Sequence, residues 1–241
     1  MKIRRLATLG AVATVTVAAA PATALGATLA PLKPCYVSVP SSPPQLELVS
    51  VAGSGFTPNS KVDVAVDGRT AVNGVPVDAA GNLPAGVQAP APFIAKRDKP
   101  FTVVATEQGN AASTASQASR VTALNVGIQP RKARPSSRVR FRGRGFTGQG
   151  PVYGHYRYKG KNRKRVTFKP SGPCGTFSQR KKQIPVSRPG TGEWTLQFDQ
   201  QKRYARTPSS VFVRLTIVVT RTVRFSSLTP APTPEFGFPA G

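Results

Sequence analysis

The chain has 241 residues, with 34 Lys/Arg against nine Asp/Glu and one histidine, for a net charge of +25. That length suffices for one large or two small domains. A single histidine, two cysteines and nine scattered acids argue against a metal centre and against a paired-carboxylate active site, so no cofactor and no enzymatic activity are expected.

In chain order, Met1 to Arg5 carries Lys2, Arg4 and Arg5, followed by the apolar run LATLGAVATVTVAAA and the small-residue site Ala22-Thr23-Ala24. This succession predicts a secretory signal peptide over residues 1–24 and a secreted, extracellular mature protein. The alternative is a membrane anchor, but the run of fifteen residues falls short of the roughly twenty needed to span a bilayer. No transmembrane segment is expected in the mature chain. Lys33 and Pro34 are a poor context for lipid attachment at Cys35.

Residues 25–122 hold seven Lys/Arg against six Asp/Glu, a net of +1. Val62, Val64 and Val66 alternate with Asp63, Ala65 and Asp67, the period of a half-buried strand. Asp78 to Asn82 reads as a turn and Phe101 to Thr106 as a further strand. Near Ala123 one strand runs almost directly into the next, which predicts a short linker with restricted hinge motion.

Residues 123–225 are different: 24 Lys/Arg against only Glu193 and Asp199, a net of +22. Arg138, Arg140, Arg142 and Arg144 occupy every second position, with Val139, Phe141 and Gly143 between them. In a strand that spacing predicts four guanidinium groups on one face and the apolar residues on the other. A second basic cluster comprises Arg157, Lys159, Lys161, Arg163, Lys164, Arg165 and Lys169, with Tyr156 and Tyr158 opposite Arg157 and Lys159 by parity and expected in the core. Arg180, Lys181 and Lys182 form a third. Trp194, Leu196 and Phe198 share one face of a later strand, and Val211, Val213, Leu215, Ile217 and Val219 one face of the last. Residues 226–241 read as a Pro-rich disordered tail.

The two halves carry an internal repeat. Gly53, Gly55, Phe56 and Thr57 align with Gly143, Gly145, Phe146 and Thr147 at an offset of 90 residues, a period that fits a small β-sandwich. The stretch VAGSGFTPNSKVDVAVDG resembles the opening of bacterial extracellular immunoglobulin-like domains of the IPT/TIG type, and VRFRGRGFTG is similar. With short strands, many turns and no helical period after the signal, the expectation is all-β: two tandem immunoglobulin-like β-sandwich domains, at 25–122 and 123–225. The resemblance implies spacer, display or adhesin-like roles and supplies no catalytic residues.

What remains is the chemistry of single residues. His155, inside a basic strand, reads as an exposed neighbour of Arg157 and not as a base or ligand. Asp63, Asp67 and Asp78 could hold calcium, although Asp is also the ordinary residue of strand ends and turns. Two cysteines in an oxidising compartment favour a Cys35–Cys174 disulfide, with free thiols or a bridge to another chain as alternatives.

So many uncompensated cations in one half point to a polyanionic partner. The expected binding residues are Arg138, Arg140, Arg142, Arg144, Arg157, Lys159, Lys161, Arg163, Lys164, Arg165, Arg180, Lys181 and Lys182. The leading reading is a secreted, non-enzymatic protein whose basic second domain attaches to an anionic envelope polymer or surface, with the first domain a spacer or protein-contact module. An extracellular nucleic-acid binder and a polysaccharide-targeting accessory module are the alternatives. The ladder and the Tyr-rich hairpin are expected in opposite sheets, so the charge could wrap the domain instead of forming one patch.

Overall fold

The structure is a computed structural model and describes residues 26–84, 86–205 and 210–217. The expected signal segment, Val219 and the Pro-rich tail lie outside the described residues.

Every regular element among the described residues is a β-strand. The first are β1 (Thr28–Leu29), β2 (Tyr36–Val39), β3 (Gln45–Leu46), β4 (Leu48–Val51) and β5 (Gly53–Ser54). Longer strands follow: β6 (Lys61–Val66), β7 (Arg69–Pro76), β8 (Val87–Pro90), β9 (Asp98–Glu107) and β10 (Asn110–Ala123). The second half carries β11 (Asn125–Gln129), β12 (Arg138–Arg144), β13 (Val152–Tyr158), β14 (Lys161–Phe168), β15 (Phe177–Lys182), β16 (Gly192–Asp199) and β17 (Val211–Ile217).

The described chain gathers into two compact units, and compactness draws the line elsewhere than the repeat does. The first unit takes residues up to 33, 48–90 and 101–119; the second takes 34–47, 91–100 and 120 onward. Two features hold residues 34–47 in the second unit. β2 pairs in parallel with the end of β10, Tyr36 beside Val121 and Ser38 beside Ala123. Cys35 is joined to Cys174 by a disulfide, with 5.2 Å between their Cα atoms.

In the first unit β6 lies between β7 and β9, with β10 beyond β9, while β1 pairs with β5 and β4 with β8. The alternation read along β6 holds, with Val62, Val64 and Val66 buried. Val49, Val51, Phe101 and Val103 are buried as well.

The second unit contains an immunoglobulin-like β-sandwich. A three-stranded sheet, β11-β12-β15, faces a four-stranded one, β14-β13-β16-β17, and all pairings within them are antiparallel. Aromatic rings fill the space between: the Phe141 ring centroid lies 5.3 Å from that of Phe168 and 6.0 Å from that of Phe198. Trp194, Leu196 and Phe198 are buried on the face the period predicted. Val37 and Val39 of β2 pack against this core, which gives residues 34–47 an apolar reason to stay.

The G-x-G-F-T repeat is the same turn built twice. Gly55 and Gly145 have φ of 79° and 85°, where an L side chain is strained, and Phe56 and Phe146 are buried. Each Phe N–H donates to the carbonyl of a later glycine, Gly81 at 3.1 Å and Gly175 at 3.3 Å, and both of those glycines also have positive φ.

Candidate polyanion-binding surface

The ladder strand β12 lies between β11 and β15. Val139 and Phe141 point into the core, 1% and 0% exposed, while Arg138 and Arg142 are exposed and Arg140 and Arg144 half-buried. The guanidinium face is therefore the outer face of the three-stranded sheet. Register adds to it: Arg138 stands opposite Lys182, Arg140 opposite Arg180 and Arg142 opposite Ser178. Directly opposed residues share a face, so Arg180 and Lys182 extend the ladder sideways onto β15. On the β11 side the partners are neutral: Asn125 opposite Arg144, Gly127 opposite Arg142 and Gln129 opposite Arg140.

The members of the ladder are not equivalent. Arg144 Nη1 lies 3.6 Å from Asp98 Oδ1, and that same oxygen accepts from Thr122 Oγ1 at 2.7 Å, so Arg144 is neutralised within the unit. Among the described residues no carboxylate pairs with Arg138, Arg140, Arg142 or Arg180. These four, with Gln129 and Pro130, line a shallow hollow of about 420 Å³. Lys181 stands opposite Val139 and so belongs to the other side of β15.

The second basic cluster is built differently. β14 is an edge strand, and Lys161, Arg163, Lys164 and Arg165 along it are all exposed. A run of charge on an edge also protects that edge from pairing with another chain. Several of its groups have partners inside the unit. Arg157 donates from Nη1 to the Tyr204 hydroxyl at 2.6 Å and from Nη2 to the Gly160 carbonyl, and its guanidinium carbon lies 4.3 Å from the Tyr204 ring centroid. Arg165 donates to the Lys202 carbonyl at 2.6 Å and sits over the Tyr153 ring. Lys159 and Arg163 approach the Tyr158 ring, which itself stacks on Trp194 at 4.9 Å. Ladder and hairpin occupy different sheets of one sandwich, as the sequence predicts.

The same cluster covers a buried polar group, of which His155 is expected from the sequence to be exposed. His155, Gln197 and Asp199 are at most 1% exposed, although they lie on the strand face away from the core. Residues 200–204 fold over that face. His155 Nε2 lies 3.0 Å from the Gln201 carbonyl oxygen and 3.6 Å from Asp199 Oδ1, and Gln200 Nε2 donates to the Gly148 carbonyl at 2.7 Å. His155 is thus buried, not an exposed neighbour of Arg157. Gln197 Nε2 donates to Asp199 Oδ2 at 2.6 Å. The signal for this cover was Tyr204, an aromatic within an otherwise polar stretch.

Two of the three aspartates considered for calcium, Asp63 and Asp78, are engaged by hydrogen bonds within the first unit. Asp63 Oδ1 accepts from Gly74 N at 2.8 Å and Gln108 Nε2 at 2.7 Å. Asp78 Oδ1 accepts from the N–H groups of Ala80 and Asn82, and the Asn82 N–H above all holds its carboxyl below the ordinary range. Among the described residues no three His, Cys, Asp or Glu side chains gather as metal ligands, and no helix is long and apolar enough to cross a membrane.

No family model matches the chain, and no curated protein matches it. Among solved structures it is similar to the crystal structure of the N-terminal eight immunoglobulin domains of Down syndrome cell adhesion molecule, isoform 1.30.30. That likeness has a TM-score of 0.30 and 13% identity and covers 80% of this chain but 27% of that one. It carries no weight for function. The β-sandwich assignment rests on the sheets themselves.

Proposed function

We propose that this is a secreted, non-enzymatic binding protein of the tandem immunoglobulin-like, IPT/TIG-related kind, held on an anionic envelope polymer or surface by its basic second unit. The first unit, near neutral in charge, acts as spacer or protein-contact module. One observation carries the reading: Arg138, Arg140, Arg142 and Arg180 share an outer sheet face on which none of them has a carboxylate partner among the described residues. Self-repulsion opposes such a cluster, and an anionic partner removes it. A disulfide within the unit fits an oxidising compartment outside the cytoplasm. Base stacking would need free aromatic platforms. Here Tyr156 is in the core, Tyr158 lies on Trp194 and Tyr204 lies on Arg157; Phe93 and Phe212 are exposed, but no aromatic lines the ladder hollow, so nucleic-acid recognition there has less support.

The test is the triple variant Arg138→Gln, Arg140→Gln and Arg142→Gln. Because Val139 and Phe141 hold the strand, it should fold and melt like the parent. On duplex DNA, the best-calibrated polyanion, the log–log salt slope of binding should flatten by roughly 2 to 3, at about 0.9 per lost contact. Other polyanions should show the same sign with a smaller size. An unchanged affinity and slope would reduce the ladder to a solvated face.

A further inference from the structure

The hollow on the ladder face differs from the rest of the basic surface in two respects. All of its cations are arginines, whereas the edge strand β14 mixes Lys with Arg. They also stand on two neighbouring strands: Arg138 and Arg142 flank Arg140 along β12, each about 7 Å away by the rise of two strand residues, and Arg180 stands across from it on β15. Pro130 lines the hollow without an N–H to offer, and Gln129 adds a neutral amide beside Arg140.

A guanidinium is a planar fork that binds two oxygens of one anion at once. A carboxylate has two oxygens in one plane, and a single fork occupies both. Forks approaching from two strands match an anion whose oxygens point to several sides, as those of a phosphoryl or sulfuryl group do. We infer that the hollow centred on Arg140 and Arg180 is a seat for a tetrahedral oxyanion of the bound polymer, with phosphate or sulfate preferred over carboxylate. This deepens the proposed function and rests on it. The remaining basic surface supplies attraction, and the hollow supplies choice.

The test uses the whole protein and three probes at matched charge and ionic strength: inorganic polyphosphate, dextran sulfate and polyglutamate. Wild type should bind the first two more tightly than the third, and the polyphosphate and sulfate arms show which oxyanion it favours. Arg140→Lys and Arg180→Lys keep the charge and remove the fork. Each should weaken binding to the favoured oxyanion polymer by about tenfold, the loss of a charge-assisted hydrogen bond, and leave polyglutamate within about twofold. Equal binding of all three probes, with both lysine variants indistinguishable from wild type, would overturn the oxyanion seat and leave polyanion attachment standing. No binding to any probe would overturn both. A melting curve for each variant separates a lost contact from a lost fold.

Discussion

Tyr156 has a side chain whose two ends want different things. Its ring lies in the core at 0% exposure, and its hydroxyl has no hydrogen-bond partner among the described residues. A buried hydroxyl without a partner costs about 1 to 3 kcal/mol. Tyr156→Phe keeps the ring, and at neutral pH it should raise stability by about 1 kcal/mol in denaturant melts. Burial also pushes the phenol far above its ordinary value. Below about pH 10 both folded and unfolded states keep the proton. Above it the unfolded phenol ionises first, so stability falls as pH rises, and wild type should lose melting temperature faster than Tyr156→Phe between pH 10 and 11. Glycines of the ladder sheet make a second test. A Cβ on Gly143 would lie 2.1 Å from Phe177 Cε1, whereas one on Gly127 meets nothing within 4 Å. Gly143→Ala should cost about 1 to 3 kcal/mol by overpacking, and Gly127→Ala should be near neutral. Gly143 and Gly145 were legible as a turn because their partners repeat at Gly53 and Gly55. Gly81 and Gly175 were not, because the two copies space them differently from the motif.

At the scale of elements, strand period was informative wherever one face meets a core and the other meets water. Along β6 and β12 that condition holds, and the alternation gave both faces correctly. It fails on β13 and β16, because residues 200–204 cover the second face with irregular chain that has no period to read. His155 is polar on a basic strand, so it reads as exposed, and nothing in the period marks Gln197 and Asp199 as its buried neighbours. The cover is fastened by side chains, Arg157 to Tyr204 and Gln200 to the carbonyls of Gly148 and Gly150. Tyr204→Ala should therefore cost about 1 kcal/mol, from the lost ring and hydroxyl contacts of Arg157. It should also speed hydrogen exchange at the His155 ring. Exchange no faster than in wild type would mean that Gln200 and Arg165 suffice to fasten the segment.

The whole molecule sets its charge against its crosslink. The chain's net charge is +25, and residues 123–225 alone carry +22, which repels itself; added salt screens that repulsion. Between about 20 and 200 mM NaCl the melting temperature should rise while affinity for polyanions falls; a protein stabilised mainly by surface ion pairs would show the opposite trend in melting. The disulfide closes a sequence separation of 139 residues, worth about 5 kcal/mol in the chain-entropy model. Reduction should lower the melting temperature without unfolding either unit, read by near-ultraviolet dichroism. The compartment implied by the signal motif made the pairing of the cysteines legible. Nothing local could show that the bridge lies within one compact unit, because parallel pairing of β2 with β10 joins residues some eighty positions apart.

That bridge also determines how the chain carries a load. A pull applied before Cys35 and after Cys174 crosses from one sulfur to the other and bypasses the peptide path between them. The G-x-G-F-T turns and the arginine strand all lie on the bypassed path, while Arg180 and Lys182 lie beyond it. A protein stretched by its ends while gripping a surface would keep its ladder strand unloaded until the remaining strands gave way. The same ring means that a protease nick anywhere between the two cysteines leaves one covalent molecule, still carrying both sides of its basic face.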